Sequence, residues 1–167
     1  MKPPSTTKDY IINNILLLLS QNKWTVEDVN LQKPWGAYIR LADENAEEFI
    51  NTYFTDIKEQ FKIFKGLSPK YLIVAPGQQL SWQYHYRRAE HWKVLQGEVG
   101  VKLSDTDELP EAKSLLCEGE LVQFPAEKRH RLIGLDDWGI VVEIWEHVSD
   151  TPSDEADIVR VEDNYGR

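Results

Sequence analysis

Between Gly77 and Gly97 the chain reads Gly-Gln-Gln-Leu-Ser-Trp-Gln-Tyr-His-Tyr-Arg-Arg-Ala-Glu-His-Trp-Lys-Val-Leu-Gln-Gly. Two glycines bracket a run in which polar and aromatic residues alternate. Residues two apart on a strand point the same way. Ser81, Gln83, His85 and Arg87 therefore form one row, and Trp82, Tyr84 and Tyr86 the opposite row. Either the polar row faces solvent over an aromatic core, or it faces into a closed barrel. An inward polar row must be satisfied by something. A divalent cation held by Gln83, His85, Glu90 and the later His130 would satisfy it. Two imidazoles, a carboxylate and a weakly held amide suit zinc, manganese, iron, cobalt or nickel, and leave room for substrate oxygens.

The chain has 167 residues, enough for one domain with a substantial core. Six Trp, seven Tyr and five Phe provide rings for that core or for a pocket lining. The single Cys117 excludes an internal disulfide framework and fits a cytoplasmic setting. A net charge of −9 argues against nonspecific nucleic-acid binding. Basic residues nonetheless gather at the motifs: Arg87, Arg88 and Lys93 in the first, and Lys128, Arg129 and Arg131 around His130. That grouping suggests a small anionic ligand, the alternative being ordinary surface charge on turns. The apolar run between Ile11 and Ser20 is shorter than the ~20 residues a membrane span needs. No basic leader or small-residue cleavage site frames it, so neither a signal peptide nor a membrane partner is expected.

Residues 1–7, with Pro3, Pro4 and Ser5-Thr6-Thr7, read as a disordered start. Apolar spacing predicts a helix from about Lys8 to Gln21 and a connector to Gln32. A turn at Pro34 and Gly36 follows, then a strand over about Ala37 to Leu41. A second helix is predicted from Asn45 to Phe64, where Phe49, Ile50, Tyr53, Phe54, Ile57 and Phe61 recur at helical spacing. From Ser68 onward the chain reads as short strands. They lie near Tyr71–Ala75, Gln83–Tyr86, Trp92–Leu95, Val99–Leu103, Glu120–Phe124, His130–Ile133 and Ile140–Trp145. An acidic loop spans 105–112. Short strands at this spacing predict an all-β sandwich or jelly-roll barrel. The division expected is a helical N-terminal extension, residues 1–32, and a barrel domain, residues 33–167, with the 45–64 helix inserted.

The spacing of Gly77, Gln83, His85, Glu90 and Gly97 resembles the first motif of the cupin superfamily, with Gln in place of its first His. Gly119, Pro125 and His130 resemble the second motif, with Glu127 and Gly134 replacing its second Gly and its Asn. Further blocks come in order: Lys33-Pro34-Trp35-Gly36, Leu80-Ser81-Trp82-Gln83, Arg88-Ala89-Glu90-His91-Trp92, His130-Arg131, Asp157-Ile158-Val159-Arg160 and Asp163-Asn164-Tyr165-Gly166-Arg167. Together they resemble the type II mannose-6-phosphate isomerase family, from about residue 33 to the C-terminus. The resemblance implies a cupin jelly-roll barrel, carrying the N-terminal and inserted helices.

It also implies interconversion of mannose 6-phosphate and fructose 6-phosphate through a cis-enediol at a divalent metal, commonly zinc. Gln83, His85, Glu90 and His130 would be the ligands. His91, Glu143 and Lys93 are the candidates for base or acid. Glu143 shares a strand face with Val141 and Trp145, and an inward face would bury it and raise its pKa. Ser81, Arg88, Arg131, Arg160 and Arg167 are the candidates for substrate and phosphate binding. The chain departs from the family where His85-Tyr86-Arg87-Arg88 replaces a run of three His before the Arg, and where Ile144-Trp145-Glu146-His147 follows Glu143. Alternatives are an isomerase of another sugar, a non-catalytic cupin that binds a sugar or sugar phosphate, and a metal oxygenase on the same barrel. Pairing into a homodimer through the N-terminal helix is expected by analogy with other cupins.

Overall fold

Alternation along the strands sets where each layer packs. The computed structural model describes residues 6–166. In chain order the elements are α1 (Lys8–Asn22), β1 (Val26–Lys33), β2 (Gly36–Leu41), α2 (Ala46–Tyr53), β3 (Lys70–Val74), β4 (Trp82–Tyr84) and β5 (Arg88–Gln96). They continue with β6 (Glu98–Ser104), β7 (Ser114–Cys117), β8 (Leu121–Phe124), β9 (Arg129–Gly134), β10 (Gly139–His147) and β11 (Val159–Glu162). Two antiparallel sheets form the jelly roll. One has the order β1-β2-β3-β10-β5-β8 and the other β11-β4-β9-β6-β7.

The larger sheet is buried on both faces. Leu72, Val74, Trp92, Val94 and Val141 turn inward and meet Val99, Val101 and Leu132 of the smaller sheet. Ile39, Tyr71, Ile73, Ile140, Val142 and Ile144 turn outward and are covered by α1 and α2. This is why β3 and β10 read as nearly continuous apolar runs. No helix among the described residues is long and apolar enough to cross a membrane.

The structure differs from the sequence reading in four places. The expected connector before Gln32 is mostly strand: β1 pairs antiparallel with β2, so the sheet begins ahead of residue 33. The expected 45–64 helix stops at Phe54, and only a 3-10 turn at Lys58–Gln60 follows. Phe54, Ile57 and Phe61 are all buried, but they anchor an irregular chain along the outer face of the sheet. Helical spacing marks which residues are buried and does not require the helix to continue. Strands β7 and β11 have no counterpart among the expected strands: the Ser114–Cys117 run alternates too weakly, and Val159–Glu162 is a short edge strand in a polar tail. The start of the chain expected to be disordered lies mostly outside the described residues. Thr7 within it caps α1, its hydroxyl accepting from the Tyr10 amide at 3.2 Å.

Gly36 is fixed by a close backbone approach. Its φ is +146°, and a Cβ there would stand 1.9 Å from the Ile73 carbonyl oxygen. Gly77 also has positive φ, at +70°, but a Cβ there meets nothing within 4 Å. Gly36→Ala is therefore expected to destabilise by about 3 kcal/mol or more through overlap and strain together. Gly77→Ala is expected to cost only the backbone term of about 1–2 kcal/mol. Urea unfolding of both variants checks this, and equal losses would show that the overlap at Gly36 is relieved by a shift of the strand.

Candidate functional site

Ser81, Gln83 and His85 of the polar row turn inward, whereas Arg87 of the same row turns out to Asp154. Gln83 on β4 stands opposite His130 on β9 across the ladder. His85 follows β4, and Glu90 lies on β5 with its side chain turned the same way as Trp92. His85, Glu90 and His130 are each no more than 2% exposed. One donor atom from each lies within 4.8 Å of the other two, a spacing that could hold a metal ion.

Hydrogen bonds fix which atoms are free. The His85 Nδ1–H donates to the Asp157 carbonyl at 2.6 Å, and the His130 Nδ1–H donates to the Lys128 carbonyl at 2.9 Å. A carbonyl only accepts, so each Nδ1 carries a proton; Arg88 Nη2 stands 3.3 Å from His85 Nε2 and can only donate, so that nitrogen offers a lone pair, as does the Nε2 of His130. Glu90 Oε1 is 3.1 Å from His85 Nε2, and Glu90 Oε2 is 3.4 Å from His130 Nε2. Neither Glu90 Oε2 nor His130 Nε2 has a hydrogen-bond partner. Two buried lone-pair atoms facing each other without a donor form an electron-rich gap, and a divalent cation fits it.

Electrostatics agree. Burial acts to raise the Glu90 carboxyl, but His85, His130 and the Arg88 guanidinium pull it well below its ordinary value. Burial lowers His130 to about 4, so its imidazole is neutral at physiological pH and able to coordinate. Gln83 holds its amide in place by accepting a bond from the Ser81 hydroxyl.

Beside this triad lies a cavity of about 170 Å³, lined by Trp35, Ser81, Gln83, Arg88, Trp92 and Glu143, with Lys33, Lys70 and Arg160 among its cations. Glu143, whose strand face the sequence leaves open, turns inward with Val141 and Trp145. Its Oε2 accepts from Trp92 Nε1 at 2.8 Å and its Oε1 from Trp145 Nε1 at 3.0 Å. Lys70 Nζ stands 3.7 Å from Oε1. Burial raises the Glu143 carboxyl above its ordinary value and the charge of Glu90 adds to this, while Lys70, Arg88 and the Trp92 N–H oppose it. Arg88 is tied down: its Nε donates to Glu90 Oε1 at 2.9 Å, and its guanidinium lies 3.6 Å over the Trp145 ring. It holds the ligand carboxylate as well as bordering the cavity.

Other expected residues fall elsewhere. His91 alternates with Glu90 and Trp92 and so points to the opposite face. There its Nε2 is 2.8 Å from Glu146 Oε2, its Nδ1 meets Gln123 at 2.9 Å, and its ring packs on Phe61. Lys93 has the same parity, opposite Val142 of the outer core, and is also excluded from the cavity. Arg131 alternates with His130 and Leu132 and lies on the outer face of the smaller sheet. It is paired there with Glu162 at 3.1 Å rather than facing a phosphate. Arg167 lies outside the described residues. Most of the basic cluster at the motifs is likewise neutralised on the outside: Arg87 by Asp154, Lys128 by Asp105 and Arg129 by Asp107.

The sequence reading missed Lys70 and Asp157. Lys70 shares the parity of Leu72 and Val74, which alone marks it as an inward lysine.

Residues 20–163 match the family described as Mannose-6-phosphate isomerase C-terminal. The alginate biosynthesis protein AlgA of Pseudomonas aeruginosa is 32% identical over 143 residues, 86% of this chain and 24% of its own length. A mannose-1-phosphate guanylyltransferase of Salmonella montevideo is 31% identical over 135 residues, 81% of this chain and 23% of its own length. The chain thus spans about a quarter of the length of these curated relatives. Oxalate decarboxylase from Bacillus subtilis overlays 80% of this chain with 29% of its own, at a TM-score of 0.56 and 16% identity, a likeness of fold alone.

Stripped protein titrated with cobalt(II) or zinc should take up one ion per chain. His130→Ala should abolish uptake, whereas His91→Gln, altered on the far face, should leave it unchanged. Undiminished uptake by His130→Ala would remove the triad as the binding site.

Proposed function

The chain belongs to the Mannose-6-phosphate isomerase C-terminal family of cupin-fold domains, and from that membership we propose that it is a metal-dependent aldose–ketose isomerase of a sugar phosphate, most simply mannose 6-phosphate to fructose 6-phosphate. The observation that carries the reading is the juxtaposition of Glu143 with the triad. A buried carboxylate with a raised pKa borders the same cavity as the residues that touch His85, Glu90 and His130.

Gln83, His85, Glu90 and His130 would hold the ion, with zinc as the first candidate. When bound it supplies a Lewis acid that polarises the substrate's carbonyl and hydroxyl oxygens. Glu143 takes the proton from the carbon beside the carbonyl as the carbonyl oxygen gains one, giving a cis-enediol; it then returns its proton to the former carbonyl carbon as the neighbouring hydroxyl gives up its own, so no net proton is exchanged. The two indole N–H donors hold Glu143 in one orientation for both transfers. Trp35, whose indole N–H has no partner, and Ser81 are available to sugar hydroxyls. Arg160 and Lys33 at the cavity wall receive the phosphate. A phosphorylated metabolite as substrate accords with a cytoplasmic protein.

A coupled assay for fructose 6-phosphate formed from mannose 6-phosphate, on protein reloaded with zinc, cobalt or manganese, tests the reading. Glu143→Gln should lower kcat by about 10²–10⁴-fold and leave metal uptake intact. Because the Glu143 pKa is raised and the base works ionised, activity should fall with acidification at a pH above the ordinary carboxylate range. A stoichiometrically loaded protein that turns over neither this nor other sugar phosphates would overturn the isomerase.

A further inference from the structure

The segment after β10 folds back over the metal triad and is fastened there by one residue. Asp157 is 4% exposed. Its carboxylate accepts from the Tyr86 amide at 3.0 Å, the Arg87 amide at 2.9 Å and the Ser153 hydroxyl at 2.6 Å. Its carbonyl accepts from His85 Nδ1 at 2.6 Å and from Arg88 Nη1 at 3.4 Å. A single residue thus grips both amides that follow His85 and the ring of His85 itself. Around it, Ser153 Oγ and the Asp154 carbonyl each accept from Arg88 Nη1 at 3.0 Å. The Pro152 carbonyl accepts from Arg87 Nε at 3.2 Å, and Glu155 closes on Lys70 at 3.0 Å.

We propose that Asp157 is a positioning residue for the metal, and that docking of residues 149–157 and occupancy of the triad are coupled. The inference rests on the metal reading of His85, Glu90 and His130. The Asp157 carbonyl selects the tautomer that leaves His85 Nε2 unprotonated toward Glu90, where it accepts a long 3.3 Å bond from Arg88 Nη2 that an ion would replace. Its carboxylate keeps that carbonyl in register with the ring. Undocking the segment frees the imidazole to turn or to exchange tautomers. By reciprocity, whatever factor the docked segment adds to metal affinity, the metal adds to docking. The same docking carries Glu155 to Lys70 and sets Ile158 and Arg160 at the cavity wall, so the ion and the closed cavity assemble together.

The test is a cobalt(II) titration of the full chain followed by absorbance, with hydrogen exchange of residues 149–158 measured with and without the ion. Asp157→Ala retains the carbonyl and removes the grip. It should bind cobalt about 10–100-fold more weakly than the unaltered protein. Its cobalt spectrum should move toward that of His85→Ala. Asp157→Asn, which keeps one acceptor oxygen, should recover part of the loss. Cobalt should slow exchange in 149–158 in the unaltered chain and not in Asp157→Ala. Should Asp157→Ala fail to fold, Ser153→Ala, which removes one of the three carboxylate contacts, should show a smaller loss in the same direction. Unaltered affinity and spectrum in the folded Asp157→Ala protein would overturn the coupling alone. Absence of cobalt binding in the unaltered chain would overturn the metal reading and the coupling with it.

Discussion

The structure depends on a carboxylate placed where no water reaches it. Glu90 sits inside the barrel, and an ionised carboxylate there is unfavourable unless charge and donors surround it. Arg88 answers one oxygen at 2.9 Å, while the other faces a bare imidazole nitrogen. The surrounding chain is committed to this arrangement. Arg88 is itself buried and needs the Trp145 face and the carbonyls of the returning tail to hold it. The tail is therefore part of the barrel's interior chemistry, even though its own strand β11 lies at the edge of the smaller sheet.

The larger sheet makes that interior possible. Because α1 and α2 cover its outer face, its stability does not rest on the inner face alone. The outer core supplies a continuous apolar layer from Ile11 through Phe49 to Ile144. The inner face is then free to interrupt its own apolar layer with Lys70, Glu90 and Glu143. A sheet wet on its outer side would have to fill its inner side with aliphatic residues, leaving no room for a polar cavity.

Much of this was legible in the sequence. The offsets of Gln83, His85, Glu90 and His130, and the shared parity of Glu143, Val141 and Trp145, are properties of strands and survive into three dimensions. His91, Lys93 and Arg131 show where the reading slips. Each is adjacent to a true inward residue, and adjacency along a strand means opposite faces. Motif membership drew them toward the site; parity moves them away. Lys70 was missed for the converse reason, since it lies outside every motif while parity places it inward. Asp157 could not be found by parity, because it lies in irregular chain and acts through its backbone carbonyl.

The distribution of charge follows from the same distinction. Around the motifs, the cations counted from sequence are mostly paired with acids on the outer surface, in keeping with the net charge of −9. The cavity draws its own cations from separate parts of the chain: Lys33 at the end of β1, Lys70 on β3, Arg88 on β5 and Arg160 on β11. Against these four cations stand the carboxylates of Glu143 and Glu155, which meet Lys70, and that of Glu90 behind Arg88, a formal excess of one positive charge among these groups. A divalent cation would raise that excess further and so favour an anionic guest. An acidic exterior and a cavity lined with cations are compatible because the strands sort alternate residues to opposite faces. The fold that buries Glu90 thereby also builds the field that a phosphate would find.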